Sequence, residues 1–231
     1  WVIQDRLSIE LLNRIDVDSA EAGDIVAIAG IPDISIGETI SDPENPQALP
    51  PITIEEPTVK MTFAVNTSPF TGKEGDYSTS RNLKERLEKE VETDVALRIQ
   101  QMNPDQWTVS GRGELHLAIL IEKMRREGYE LQVSRPQVIL KEVVGKKQEP
   151  VELASVEVPE EFTGTVIEMM GKRLGVMKDM RVDNKTARMD FEIPTRGLIG
   201  FRNEFLTATK GEGIINSLFL GYQDFKGELP G

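Results

Sequence analysis

The residues of this chain that could do chemistry are few, and they do not assemble into a reacting set. The single histidine, His116, lies two positions after Glu114, and there is no cysteine. A general base needs a nucleophile within reach and a third group to orient it, and neither is spaced around His116. It reads as a surface or packed helical histidine. One histidine and no thiolate also exclude the ligand spacings of zinc sites and the His-Glu-x-x-His helix of metalloproteases. The run Gly164-Thr165-Val166-Ile167-Glu168-Met169-Met170-Gly171-Lys172-Arg173 has the outline of a phosphate loop but fails its chemistry. Six residues separate the glycines where four are required, and Arg173 follows Lys172 where a hydroxyl must reach Mg²⁺.

Cations beside glycines are more informative. Arg112 and Gly113 fall at a helix start, where amides and a guanidinium aimed the same way suit phosphate or carboxylate. A tight turn with a local salt bridge accounts for the same residues. Arg196-Gly197-Leu198-Ile199-Gly200-Phe201-Arg202 flanks two glycines with arginines, which would let a polymer backbone come close; a glycine-eased helix entry explains it as well. Arg125-Arg126 closes a helix, where two cations complement the dipole. Within 171–188 stand Lys172, Arg173, Lys178, Arg181, Lys185 and Arg188 against Asp179 and Asp183. That run is either a basic surface for phosphate or a solvated charged face.

The elements that must carry these residues follow from periodicity. Up to about residue 41, short β-like runs such as Ile25–Ala29 are broken by Gly23, Pro32 and Gly37, which suits a barrel or its edge. Prolines 43, 46, 50, 51 and 57 then mark an extended linker. Val59–Val65 alternates as a half-buried strand, and a polar loop follows from Asn66 to Asp76. Ser80 caps a helix with Leu83, Leu87 and Val91 on one face. Val95–Ile99 and the segment from Trp107 are strands around the turn Asn103-Pro104-Asp105. A second helix opens near Gly111, runs through Leu115, Ile119, Leu120 and Met124, and stops at Gly128; Leu131–Val133 closes the unit. After the connector Gly145-Lys146-Lys147 the order β-α-β-β-α-β repeats: strand 151–158, a helix from Pro159 with Val166, Ile167, Met169 and Met170, a hairpin turning at Asp183-Asn184-Lys185, a helix carrying Leu198, Phe201, Phe205 and Leu206, and a strand 214–220. The expected fold class is α+β: a partial β-barrel with its linker over 1–54, then two ferredoxin-like split βαβ domains over 55–143 and 144–231.

The formal net charge is −12. Residues 1–60 hold 3 Lys/Arg against 12 Asp/Glu, whereas the remainder is near neutral and can segregate its charge by face. No window approaches eighteen apolar residues, so no membrane partner is expected, and the absence of cysteine suits a reducing, cytoplasmic setting.

Several of these runs carry a family resemblance. Ser110-Gly111-Arg112-Gly113-Glu114-Leu115-His116-Leu117 looks like a segment in the third domain of elongation factor G and its relatives, and Val158-Pro159-Glu160-Glu161-Phe162 with Gly164 and Val166-Ile167 resembles the first helix of their fifth domain. The runs 66–75, 133–136 and 194–202 resemble the BipA/TypA family of translational GTPases in particular. Ala20–Ile28 is similar to the late strands of the translation-factor barrel, while residues 1–12 match nothing in the family. Elongation factor G inserts a long domain between its two ferredoxin-like domains; the short connector here resembles BipA and LepA, and the motifs favour BipA.

The resemblance implies a ribosome-binding portion of a GTPase that works in ribosome assembly, translation and stress adaptation. It implies no catalysis and no cofactor in this portion, with GTP and Mg²⁺ held by a GTP-binding domain outside it. Its partners would be the bacterial ribosome, that GTPase domain and a further C-terminal domain, with the protein a cytoplasmic, ribosome-associated monomer. Lys172, Arg173, Lys178, Arg181, Lys185, Arg188, Arg196 and Arg202 would face ribosomal RNA. Arg112, Arg125, Arg126 and Lys73 would meet the GTPase domain or ribosomal protein. The alternatives are a regulatory module that relays ribosome contact to the GTPase, or the equivalent part of a LepA-like factor.

Overall fold

A computed structural model describes residues 5–10, 13–17, 19–31, 34, 36–51 and 56–229. The chain divides into two compact units, Trp1–Thr53 and Ile54–Gly231. In the first unit, β1 (Asp5–Glu10), β2 (Asn13–Asp16) and β3 (Val26–Ala29) form an antiparallel sheet in the order β2-β1-β3. The segment that matched no family motif thus supplies the central strand. A turn over Glu21–Asp24, closed by the Asp24 amide donating to the Glu21 carbonyl at 3.1 Å, leads into β3. Residues 38–51 carry no helix or strand; Pro32 and the boundary expected at 54 lie outside the described residues.

The second unit holds two successive halves of like order. The first runs β4 (Val59–Val65), α1 (Ser80–Thr93), β5 (Arg98–Asn103), β6 (Gln106–Gly111), α2 (Glu114–Arg126), β7 (Leu131–Val133), then the short β8 (Gln137–Val138). Its sheet is antiparallel, β5-β6-β4-β7, with β8 on the remaining length of the β4 edge. Alternation puts Val59, Met61 and Phe63 of β4 on one face with Trp107 and Val109 of β6. Against them pack Leu83 and Leu87 of α1 and Leu117, Leu120 and Met124 of α2.

The second half runs β9 (Lys141–Val143), β10 (Lys146–Pro159), a single 3₁₀ turn (Glu160–Phe162), α3 (Thr163–Lys172), β11 (Val176–Asp183), β12 (Thr186–Pro194), α4 (Thr195–Leu198), α5 (Phe201–Ala208) and β13 (Ile214–Asp224). Its sheet repeats the arrangement as β11-β12-β10-β13, all antiparallel, with β9 beside β10. The core joins Ala154, Val156 and Val158 to Met189, Phe191 and Ile193 and to Val166, Met170, Phe201 and Phe205 from the helices. Asn184 and Lys185 both take positive φ (47° and 65°), the two-residue turn whose twist suits a tight hairpin.

Several expectations shift. Thr79, not Ser80, caps α1, its hydroxyl accepting the Asn82 amide at 3.2 Å. Val95 and Ala96 form a turn, so the strand starts at Arg98. Helix α2 opens at Glu114, because Gly111 completes β6 opposite Val59. That phase buries Leu117 and turns Leu115 and Ile119 outward; Val91 and Ile167 also lie at the exposed margin of their helices. Lys146 and Lys147 belong to β10, following a Val144-Gly145 turn, and are not a free connector.

Candidate functional site

The Arg196–Arg202 segment is a broken helix corner. Arg173, at the end of α3, donates from Nη1 to the carbonyls of Gly197 (2.9 Å) and Ile199 (3.0 Å) and from Nη2 to Glu204 (2.8 Å), and its guanidinium lies 5.2 Å from the Phe201 ring. These bonds satisfy carbonyls that the short α4 leaves open. A Cβ on Gly197 would meet the Arg173 carbonyl oxygen at 2.5 Å, so this glycine is spent on internal approach. Gly200 takes φ +71° to begin α5.

Arg196 is likewise turned inward. Its guanidinium grips Glu149, wholly buried, with both nitrogens Nε and Nη2, and Nη2 also donates to the Gly227 carbonyl. Glu149 accepts the Lys226 amide at 2.9 Å, and the Phe225 ring lies 4.5 Å from the guanidinium. The pair staples the 225–227 tail to the start of α4 and to β10.

The remaining basic residues are exposed and mostly engaged. Lys172 pairs with Glu168 (2.6 Å), Lys178 with Glu192 (3.2 Å), Arg181 with Asp179 (3.0 Å) and Arg188 with Glu157 (3.0 Å). Arg181 and Arg188 face each other across β11 and β12 and line a groove of about 320 Å³ on the sheet face away from the helices. Lys172, Arg173 and Arg196 meet at a cleft of about 650 Å³ against Gln137 and Val138 of β8. Lys185, at the hairpin tip, and Arg202, on α5, make no ion pair among the described residues.

In the first half, the Arg112 amide donates to His116 Nδ1 at 3.2 Å, which leaves Nε2 to carry the ring proton toward the Asp94 carboxylate, 2.5 Å away. Burial, the largest single influence, raises the Asp94 pKa, but the His116 hydrogen bond and charge, the Ala96 amide and the Arg112 charge together outweigh it and hold the carboxyl below its usual range. His116 therefore ties the end of α1 to the start of α2. Arg125 and Arg126 both bind Glu122, holding its carboxyl at about 2. Lys73 lies 5.0 Å from the exposed ring of Phe70, in a loop wrapped around Glu130. Partial desolvation pushes the Glu130 carboxyl up, and hydrogen bonds from Asn66 and the amides of Gly72, Glu74 and Gly75 more than reverse it.

Between the two halves lies a cleft of about 470 Å³ that brings Arg112 and Arg202 to one place, with Leu115, Leu218 and Phe219 on its walls. Glu114 spans it, accepting the Gly200 amide at 2.8 Å. Gly164–Lys172 lies in α3, its glycines inside a helix, so this run does not form the amide cradle of a phosphate loop. Among the described residues no group of three His, Asp or Glu is arranged to hold a metal, and no helix is long and apolar enough to cross a membrane.

Residues 73–135 match the family described as Elongation Factor G, domain III, and residues 146–230 match Elongation factor G C-terminus. Proteins named large ribosomal subunit assembly factor BipA are similar over nearly the whole chain. That of Bacillus subtilis is 52% identical over 95% of it, that of Synechocystis 54% over 96%, and that of Salmonella typhimurium 52% over 93%. The chain belongs to the BipA family. It spans 36–38% of the length of these BipA relatives.

This BipA-family chain also contains an ion network that the sequence reading passed over. Arg86 of α1, its side chain 7% exposed, binds Glu127 through Nε and Nη2 and Glu90 through Nη1 (2.7 Å), and Lys123 of α2 reaches Glu90 at 3.1 Å. The Glu127 hydrogen bond raises the Arg86 pKa most. The spacing of Arg86 and Glu90, four apart on one helix, was the available signal.

Proposed function

We propose that the chain is the ribosome-binding portion of a BipA-type translational GTPase that acts in large-subunit assembly, translation and stress adaptation. The observation that supports it is 52–54% identity, over 93–96% of the chain, to proteins named large ribosomal subunit assembly factors. In this reading residues 1–54 belong to a translation-factor barrel and its linker, and 55–143 and 144–231 are ferredoxin-like domains; the strand order second-third-first-fourth in each sheet favours that assignment. The chain itself catalyses no reaction. GTP hydrolysis, with GTP and Mg²⁺, resides in a domain outside it, and the protein works as a monomer on cytoplasmic ribosomes.

Of the cations, Lys185 and Arg202 lead the RNA contacts, because neither is held in an ion pair among the described residues. Lys172, Lys178, Arg181 and Arg188 exchange their carboxylates for phosphate. Arg173 and Arg196 act by holding the corner that presents Arg202. Arg112, Arg125, Arg126 and Lys73 face the GTPase domain or ribosomal protein. Sedimentation of the full-length protein with ribosomes tests this: Lys172→Glu, Lys185→Glu and Arg202→Glu together should weaken co-sedimentation, more so as salt rises. Undiminished co-sedimentation would falsify the placement.

A second reading, a relay from ribosome to GTPase, is favoured by the Glu114–Gly200 hydrogen bond and by the Tyr222 hydroxyl donating to the Ile139 carbonyl at 3.1 Å. Normal ribosome binding with lost GTPase stimulation in a Glu114→Ala variant would select it.

A further inference from the structure

The face of the β5-β6-β4-β7 sheet, the first of the second unit, that is turned away from its helices carries a different chemistry from the rest of that unit. The β4, β5 and β6 registers align two neighbouring rows across it: Arg98, Ser110, Lys60 and Gln137, then Gln100, Thr108 and Thr62, with Ser134 joined to Thr62. Neither row contains a carboxylate or an apolar side chain. Most cations elsewhere in the second unit are engaged by carboxylates, as in the second sheet, where Arg181 and Arg188 face Asp179 and Glu157. Lys60 makes no ion pair or side-chain hydrogen bond among the described residues. Neither does the exposed Arg135, in the connector between β7 and β8 at the edge of this sheet. Arg98 donates Nη1 to the carbonyls of Val95 and Leu97, leaving Nε and Nη2 without a protein partner among the described residues. Glu56, which feels the Arg98 charge, lies before β4 and is held by Lys141.

We propose that this face, through Lys60, Arg98 and Arg135, binds the phosphodiester backbone of RNA. A protein-docking surface requires an apolar centre, which these rows lack, whereas nucleic-acid interfaces are polar and positively charged. In a chain of net charge −12, a face with cations and no acid is the place where phosphate meets least repulsion. Ser110, Thr108, Gln100 and Gln137 supply donors for further phosphate and ribose oxygens. Without an aromatic side chain in either row, base stacking is not part of the contact.

The choice of RNA as ligand rests on the ribosome-binding reading; the site does not share its residues. Fluorescence anisotropy of the 231-residue chain with labelled single-stranded and hairpin RNA, across a potassium chloride series, tests it. Lys60→Gln, Arg98→Gln and Arg135→Gln together should weaken binding about tenfold or more and reduce the slope of log affinity against log salt by about 2–3. Arg81→Gln with Lys84→Gln, exposed on α1, serves as the comparison and should leave this binding intact, whereas any loss from Lys185→Gln with Arg202→Gln should add to that of the triple variant. Thermal melts check folding; if the triple variant is unfolded, Lys60→Gln with Arg135→Gln, both at exposed positions, should reduce the slope by about 1–2. Unchanged affinity and slope in these variants overturn the proposal, as does a wild-type chain with no salt-dependent RNA binding. Loss of RNA affinity confined to the Lys185 and Arg202 variant also overturns it while leaving the ribosome-binding reading in place.

Discussion

Arg196 illustrates how a residue type can promise one role and perform another. Its guanidinium is committed to Glu149, and removing either member leaves a buried charge without its counterion. Arg196→Ala should lower unfolding stability by about 3–5 kcal/mol in urea titration, whereas joint replacement by Met at 196 and Gln at 149 should recover part of the loss. Two glycines give a sharper contrast. Gly197→Ala drives a methyl against the Arg173 carbonyl oxygen and should cost about 1–3 kcal/mol. Gly164→Ala, inside α3 with nothing within 4 Å of the added atom, should instead stabilise by about 0.5–1 kcal/mol. Equal effects of the two substitutions in parallel thermal melts would mean that the close approach at Gly197 is not what holds this corner. These roles were hidden in the sequence because Glu149, Lys226 and Gly227 are brought to Arg196 only by the β10–β13 pairing and the tail beyond it.

At the level of elements, the loop 66–76 depends on one ionised carboxylate. The Glu130 pKa is lowered from its ordinary 4.5, so its contribution is present above that value and is lost as pH falls through the lower folded pKa. Hydrogen exchange at the Gly72, Glu74 and Gly75 amides should accelerate, relative to helix amides in the same sample, as pH falls through the lowered Glu130 pKa; Glu130→Gln should show the faster exchange already at neutral pH. The order of strands and helices was legible because alternation and helical spacing are local properties, as in Val59–Phe63 and Leu83–Leu87. Phase and boundary were not. One residue decides whether Leu115 or Leu117 faces the core, and the strand pairing of Gly111 settles it. The basic run 172–188 was legible as charge, but the cross-strand pairs that engage it depend on sheet register, which sequence spacing does not reveal.

For the molecule as a whole, few polar links join the two halves of the second unit, and Glu114–Gly200 and Tyr222–Ile139 are among them. Glu114→Ala with Tyr222→Phe should convert a single calorimetric unfolding transition into a broadened or split one while leaving each half's secondary structure intact. A transition as sharp as that of the wild type would show that apolar contact alone couples the halves. The separation of the two sheets has a further consequence during synthesis. Every strand of the first sheet comes from residues 59–138 and every strand of the second from 141–224, so neither sheet borrows a strand from the other. The earlier half can close as soon as it leaves the ribosome, without waiting for the about 4–17 s that the later half takes to emerge at about 5–20 residues per second. What the earlier half lacks in that interval is the Gly200 amide for Glu114. The newly made chain would therefore hold a folded first sheet, and its open Lys60 face, before the cleft around Arg112 exists.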